Sequence, residues 1–251
     1  MHHSESPITV PVAVVQMPMR WTASENQATI IASLDDATRQ GAVIAVFPEC
    51  ATTGFHRRIS EEATQSKIEA SLLGIQDACA RLGISAVVGT PFFNPNDDSS
   101  LWNAVVAIDA NGTIAAICPK VGVTESERRF FTPGKRQSGF TVSGLRCSVI
   151  LCREIDDYQI VKEDLAEVPQ LMFWPSYIRN ELIDGEVIIE AAATFAAKLG
   201  CSLVQANWPN SLNDPTVQGM GGSIAVDSNG TIIHRSSIDT PDIAILTLMV
   251  S

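Results

Sequence analysis

Apolar residues along this chain fall into short unbroken runs, separated by stretches whose apolar positions recur with a helical period. Leu145–Leu151, within LRCSVILCRE, is too short and too apolar for a surface helix and reads as a strand covered on both faces. Cys152 then falls at the carboxyl end of that strand, where open α/β sheets place their chemistry. Val10–Met17 reads as a buried strand, as does Val43–Phe47, which runs into Pro48-Glu49, and Ile84–Gly89 is a third. Between them, Thr22-x-x-Glu25 is a capping box, and Ile30, Ile31, Leu34 and Ala37 recur at helical spacing until Gly41 stops the helix. Ser60, Glu61 and Glu62 open another helix, with Ile68, Leu72, Ile75 and Cys79 on one face and Gly83 past its end. Ala104–Ile108 and Thr113–Ile117 flank Asp109-Ala-Asn-Gly112, a hairpin signal.

The second half repeats this order. Leu145–Cys152 is a strand, Asp157–Glu167 a helix, and Leu171–Trp174 a strand running into Pro175-Ser176. A long helix over Glu181–Leu199 stops at Gly200 and is followed by a strand, Cys201–Ala206. Ser223–Asp227 and Thr231–Arg235 then flank a second turn, Asp227-Ser-Asn-Gly230. The match extends to residues: AIDANGTIAAI (107–117) against AVDSNGTIIHR (225–235), and LGISAVVG (82–89) against LGCSLVQA (199–206). FPE (47–49) aligns in order with WPS (174–176), and Met17 with Cys152. We read this as an internal duplication of a β-α-β-α-β-β-β unit. Two such units, each a sheet with helices on one face, would pack sheet to sheet as an α/β protein, a four-layer α-β-β-α sandwich of two pseudo-repeated halves. A last apolar strand, Ile243–Val250, is expected to close the second sheet. Residues 1–251 are expected to form a single domain, with Pro119–Gly139 crossing the joint between the halves and Pro119 and Pro133 keeping it irregular.

Composition narrows the partners. Of 251 residues 45% are hydrophobic, enough for a sizeable core, and the formal net charge of −11 argues against a nucleic-acid surface, which needs a basic stripe. No apolar stretch approaches the roughly 18 residues of a membrane span. MHHSESPITVPV has no basic segment followed by an apolar one, so it is not a secretory signal, and the reading is of a cytoplasmic protein. The six cysteines include no CxxC pair and mostly sit in apolar runs, where the thiol behaves as a small hydrophobe. The four histidines make no metal-ligand spacing, so no zinc site is expected.

Three polar residues stand at strand ends or in the joint: Glu49, Lys120 and Cys152. The duplication puts the carboxyl ends of Val43–Phe47 and Leu145–Leu151 on corresponding edges of facing sheets. Their chemistry is complementary. A cysteine nucleophile needs a base or a nearby cation, because a free thiol with pKa near about 8.5 is only a few per cent thiolate at neutral pH. A carboxylate can take the proton, and an ammonium can stabilise thiolate and oxyanion. No histidine is near the cysteine in sequence or expected in the joint, so a Cys–His arrangement is the weaker reading.

PEC around Glu49, PKVGV…ERRFFTPG from Pro119 to Gly134, and ILCRE around Cys152 resemble, in order and separation, the three signature blocks of the nitrilase, or carbon–nitrogen hydrolase, superfamily. The resemblance covers essentially the whole chain. It implies that Glu49 is the general base, that Lys120 and the N–H after the cysteine stabilise the oxyanion, and that Cys152 attacks an amide or related carbon to form a thioester that water hydrolyses. A second glutamate of the family falls on Glu127, with Glu125 a less favoured substitute. No metal or organic cofactor is implied. The stretch IDDYQIVKEDL lacks the Pro-Glu pair that many relatives carry after the nucleophile, and Arg153 argues for amide over nitrile chemistry.

Arg153 is a candidate for a substrate carboxylate or for a structural ion pair, and Arg128 and Arg129 for a solvated face or an oligomer contact. Phe55, Phe131, Tyr177, Asn207 and Trp208 follow strand ends and are candidates to line the pocket. The expected activity is hydrolysis of a small linear amide or N-carbamoyl compound. The alternatives are conversion of a nitrile to acid and ammonia, or a non-catalytic member of the fold that binds a partner. The family analogy also implies a homodimer or higher homo-oligomer.

Overall fold

The computed structural model describes residues 8–136, 139–179 and 184–250, the side chains of Asp98 and Ser99 excepted. Two six-stranded sheets lie face to face, each backed by helices, in four layers. The first sheet contains β1 (Ile8–Gln16), β2 (Ile44–Val46), β3 (Ser85–Asn94), β4 (Asp97–Ile108) and β5 (Ile114–Pro119). The second contains β6 (Phe140–Val142), β7 (Leu145–Val149), β8 (Leu171–Pro175), β9 (Ser202–Ala206), β10 (Ile224–Val226) and β11 (Ile232–Arg235). Strands β1, β2 and β3 run parallel, as do β7, β8 and β9, because a helix crosses back between each successive pair. Helices α1 (Ala23–Arg39), α2 (Ile59–Glu62) and α3 (Gln65–Leu82) belong to the first half, and α4 (Tyr158–Asp164) and α5 (Gly185–Leu199) to the second.

Period-two alternation sorts the strand side chains. Val12, Val14, Ile44, Val46 and Val87 point between the sheets, where they meet Val149, Phe173, Val204 and Ala206. Their neighbours Ala13, Val15, Ala45 and Phe47 face Ile30, Leu34, Ile68 and Ile75 of the first helical layer. Met172, Trp174 and Leu203 do the same against Ile188, Ala192, Phe195 and Leu199. The strands read as continuous apolar runs because both faces are covered.

The duplication holds in backbone detail. Gly83 and Gly200 both end their helices in the left-handed region, at φ 69° and 75°, each donating its N–H back to the helix. Gly112 and Gly230 close the two Asp-x-Asn-Gly turns at φ 82° and 86°, with their N–H groups on Asp109 O and Asp227 O.

Five features differ from the sequence reading. The last strand, β12 (Asp242–Val250), joins the first sheet, not the second: it pairs antiparallel with β1 at every position from Ile8↔Val250 to Gln16↔Asp242. The equivalent edge beside β7 is occupied by β6, three residues long, which the apolar pattern did not mark. The helix expected from Ser60 is two helices, because the buried Glu62 carboxylate turns away to accept the N–H of Ala23 at the start of α1 and the Lys67 ammonium. The β3–β4 hairpin extends well beyond Gly89 and Ala104, through Thr90↔Ala104 to Phe93↔Leu101. The cysteine strand stops at Val149, and Cys152 opens a 3-10 turn, Cys152–Asp156. The expected start of α5 at Glu181 lies outside the described residues. No helix among the described residues is long and apolar enough to cross a membrane.

Candidate active site

The carboxyl ends of β2 and β7 face one another across the sheet interface, and a cavity of about 510 Å³ opens there, lined by Glu49, Lys120, Glu127 and Cys152 among others. Glu49 sits in the turn after β2. That turn is pressed against β3 so closely that a Cβ on Gly89 would stand 2.2 Å from Pro48 O and 2.7 Å from Glu49 Cα. From the other half, the Trp208 indole N–H donates to Glu49 O at 2.8 Å. Lys120 directly follows β5, and its own N–H continues the ladder to Asn103 O at 2.7 Å. Glu127 starts the 3-10 turn Glu127–Arg129 and caps its own turn by accepting the N–H of Thr124 at 2.8 Å.

Lys120 is 1% exposed and donates to Glu49 Oε1 at 2.7 Å and to Glu127 Oε1 at 2.6 Å. An ammonium has three hydrogens, so one remains for a ligand. The Asn103 amide repeats the bridge, donating to Glu49 Oε1 at 2.7 Å and to Glu127 Oε1 at 3.0 Å. Glu49 Oε2 has no hydrogen-bond partner among the described residues. Glu125, the other glutamate considered, is exposed and stands 3.8 Å from Arg128.

Cys152 has φ 48°, a left-handed conformation that a side-chain-bearing residue adopts at a cost of about 1–3 kcal/mol and that recurs at functional sites. Its carbonyl accepts the Trp174 indole N–H at 2.7 Å, and its Sγ lies 3.7 Å from Tyr177 O as a weak donor. The N–H of Arg153 has no acceptor among the described residues. Glu154, fully buried two residues after the cysteine, ties the two loops together. Its Oε1 accepts the N–H groups of Val121 and Gly122, immediately after Lys120, at 2.8 and 3.0 Å. Its Oε2 accepts the N–H of Leu151 at 2.9 Å and meets Arg136 at 3.2 Å.

Burial sets the protonation states. It pushes the Cys152 thiol up to about 12, with the Glu49 carboxylate adding to the rise and Lys120 opposing it. Burial likewise raises Glu49 above the usual carboxylate range, although Lys120 works against it. For Glu127, burial alone would raise the pKa, but Lys120 and the Thr124 N–H together hold it below its ordinary value. Burial disfavours the charged Lys120, yet Glu49, Cys152 and Glu127 outweigh it and keep the ammonium protonated. The resting cluster is therefore a neutral thiol, a carboxyl at Glu49 with raised proton affinity and a fixed Lys120–Glu127 pair. Moving the thiol proton to Glu49 shifts charge within the cluster without changing its total.

Of the pocket candidates, Arg153, Tyr177 and Phe55 line the cavity. Asn207, Phe131 and Trp208 do not. Asn207 is a buried bracket whose Oδ1 accepts the N–H of Ile178 at 2.9 Å and whose Nδ2 donates to Gly221 O at 3.0 Å, so it places the cavity-lining Ile178 without reaching the cavity itself. Phe131 points inward behind Phe55, ring centroids 6.0 Å apart, and its neighbour Phe130 faces the cavity instead. Arg129 lines the cavity as well. His56, kept out of the joint by the sequence reading, lies on the cavity wall, but its Nδ1 accepts the N–H of Arg58 and it is not among the groups acting on Cys152. Asn103 and Glu154 went unmarked: Asn103 carries no motif and stands one residue ahead of an apolar run, and the acid at Glu154 shows its partners only once the chain is folded. Among the described residues no group of three or more His, Cys, Asp or Glu side chains is arranged to hold a metal ion.

Solved structures share this architecture. A cysteine-to-alanine mutant of the Nesterenkonia AN1 amidase from the nitrilase superfamily superposes with TM-score 0.85 at 20% identity, covering 95% of this chain and 90% of that one. A glutamate-to-glutamine mutant of the amidase from Nesterenkonia sp. AN1, showing the result of Michael addition of acrylamide at the active site cysteine, gives TM-score 0.84 at 19% identity over 94% of this chain and 92% of that chain. No curated protein sequence matches. A comparison with protein families matches residues 11–165, a span holding Glu49, Lys120, Glu127 and Cys152, to carbon-nitrogen hydrolase. The chain belongs to the carbon–nitrogen hydrolase family.

Proposed function

We propose that the chain is a cysteine-dependent amidohydrolase that cleaves a small linear amide or N-carbamoyl compound. The observation that carries this reading is the buried Lys120 ammonium, held between Glu49 and Glu127 with one hydrogen spare, in the same cavity as a strained Cys152. Glu49 takes the thiol proton at its unpartnered Oε2 as Sγ attacks the carbonyl carbon. The oxyanion is met by Lys120 Nζ and the free N–H of Arg153. The proton on Glu49 passes to the amide nitrogen, the C–N bond breaks, and ammonia leaves a thioester on Cys152. Water then gives its proton to Glu49 and attacks the thioester; the acid departs and the proton returns to sulfur. Glu127 keeps the Lys120 ammonium aimed at the oxyanion site.

The test is intact-mass spectrometry of the protein and of Cys152→Ala after exposure to amides, N-carbamoyl compounds and nitriles, with ammonia assayed in parallel. The expected result is an acyl adduct or ammonia release from an amide or N-carbamoyl compound that disappears in the variant. Turnover of nitriles alone, or release that survives Cys152→Ala, overturns the proposal.

A further inference from the structure

The chain carries 28 acidic side chains against 17 lysines and arginines, yet the cavity beside Cys152 reverses that balance. Its wall holds Lys120, Arg57, Arg129, Arg153 and Arg179 against Glu49, Glu127 and Asp156. Two of those acids are occupied by Lys120. Arg57 is paired with Asp214 and lies over the Trp21 ring, and Arg179 is half-buried and already engaged. Arg129 and Arg153 remain: both are exposed, and neither has a carboxylate partner among the described residues. They come from different loops. Arg153 directly follows the nucleophile, and Arg129 stands two residues after Glu127 at the end of its 3-10 turn. Phe55, Phe130, Tyr177, Ile178 and Val217 supply apolar wall in the same cavity. At about 510 Å³ the space falls within the range of sites that enclose a ligand larger than a bare primary amide.

We infer that the substrate is an amide or N-carbamoyl compound bearing a carboxylate at the end remote from the scissile bond, held at the cavity mouth by Arg153 and Arg129. The reacting carbonyl lies at Cys152 and Lys120, a short carbon chain passes the aromatic wall, and the guanidinium forks take the anion, for which their planar geometry is suited. This rests on the amidohydrolase reading for the atom attacked, but not for the anion site.

The experiment separates the two. Succinamate, glutaramate and N-carbamoylglycine are each paired with the methyl ester that removes the charge while keeping the amide. Binding of each pair to Cys152→Ala is measured by calorimetry, and kcat/KM of each pair on the unmodified enzyme. At least one acid is expected to exceed its ester about tenfold or more in affinity, an advantage that shrinks with added salt and falls toward one in Arg153→Gln/Arg129→Gln. Equal affinity of acid and ester in every pair, or an advantage untouched in the double variant, overturns the inference. An acid preference in binding without ammonia release from any amide would leave the anion site standing and sink the hydrolase reading; turnover with no acid preference would do the reverse.

Discussion

Asn103 shows how much of this site rests on one neutral side chain. Its amide donates to both carboxylates that grip Lys120, and its backbone carbonyl accepts the N–H of Lys120 itself. The donor to Glu49 favours the ionised carboxylate and works against the rise that burial imposes. In Asn103→Ala the Glu49 pKa therefore rises further. In the proposed mechanism Glu49 must be ionised to accept the thiol proton, so activity is lost as pH falls through its pKa, and a higher pKa moves that loss to higher pH. A hydrogen bond to a charged group contributes about 1.5–3 kcal/mol, so the acid limb of kcat/KM should move up by about one to two pH units. A pH–rate profile reads this directly; an unchanged limb with only a lowered melting temperature would reduce Asn103 to a space-filling role. Glu127 was legible because a sequence block marks it. Asn103 was not, since its two partners lie 54 and 24 residues away and only the fold brings them together.

At the scale of elements, strand ends proved the readable feature. Glu49, Lys120 and Cys152 each lie within three residues of the carboxyl end of a strand, β2, β5 and β7. The pairing lengths were not readable. The β3–β4 hairpin runs on through Pro91, Pro95 and a cluster of Asn and Asp that breaks the apolar pattern, because outside the sheet interface the ladder needs no apolar side chains. Gly89 belongs to this hairpin and shows why β3 must be bare where it passes Glu49. The atoms that a Cβ would strike are all backbone, so they can yield only by moving the turn. Gly89→Ala should cost about 1–3 kcal/mol of stability, by analogy with overpacked cores, and should lower kcat/KM by about a hundredfold through displacement of Glu49. Activity within twofold of the parent, at any melting temperature, would show that the turn absorbs the extra carbon. Glu154 works between elements in the same way, fastening the loop after Lys120 to the turn after β7. Glu154→Gln keeps the shape but exchanges one acceptor oxygen for a donor amide facing backbone N–H groups. It should lower kcat more than it raises KM; a pure KM effect would argue against a role in aligning Lys120 with Cys152.

For the whole molecule, the duplication was legible because turns and helix caps repeat as letters, as in DANG with DSNG and LGIS with LGCS. The partner of the last strand was not, since alternation marks a strand without saying beside which neighbour it lies. Its true place makes the two halves interdependent. Deleting residues 242–250 bares the β1 edge and uncovers Val10, Val12 and Val14 from Leu248 and Val250. The shortened chain is expected to aggregate or to lose cooperative melting, as judged by size-exclusion chromatography and thermal denaturation; a monomeric product with the parent's melting curve would contradict this. The same pairing also sets a clock. Gln16 of β1 is made 226 residues before its partner Asp242, which at roughly 5–20 residues per second leaves β1 waiting about 10–50 s for β12. During that interval the half that carries Glu49 has an open edge, and by the time it closes the turn that carries Cys152 has already been made. A nascent chain interrupted before Asp242 thus holds Cys152 without the completed first sheet, in which Glu49 follows β2.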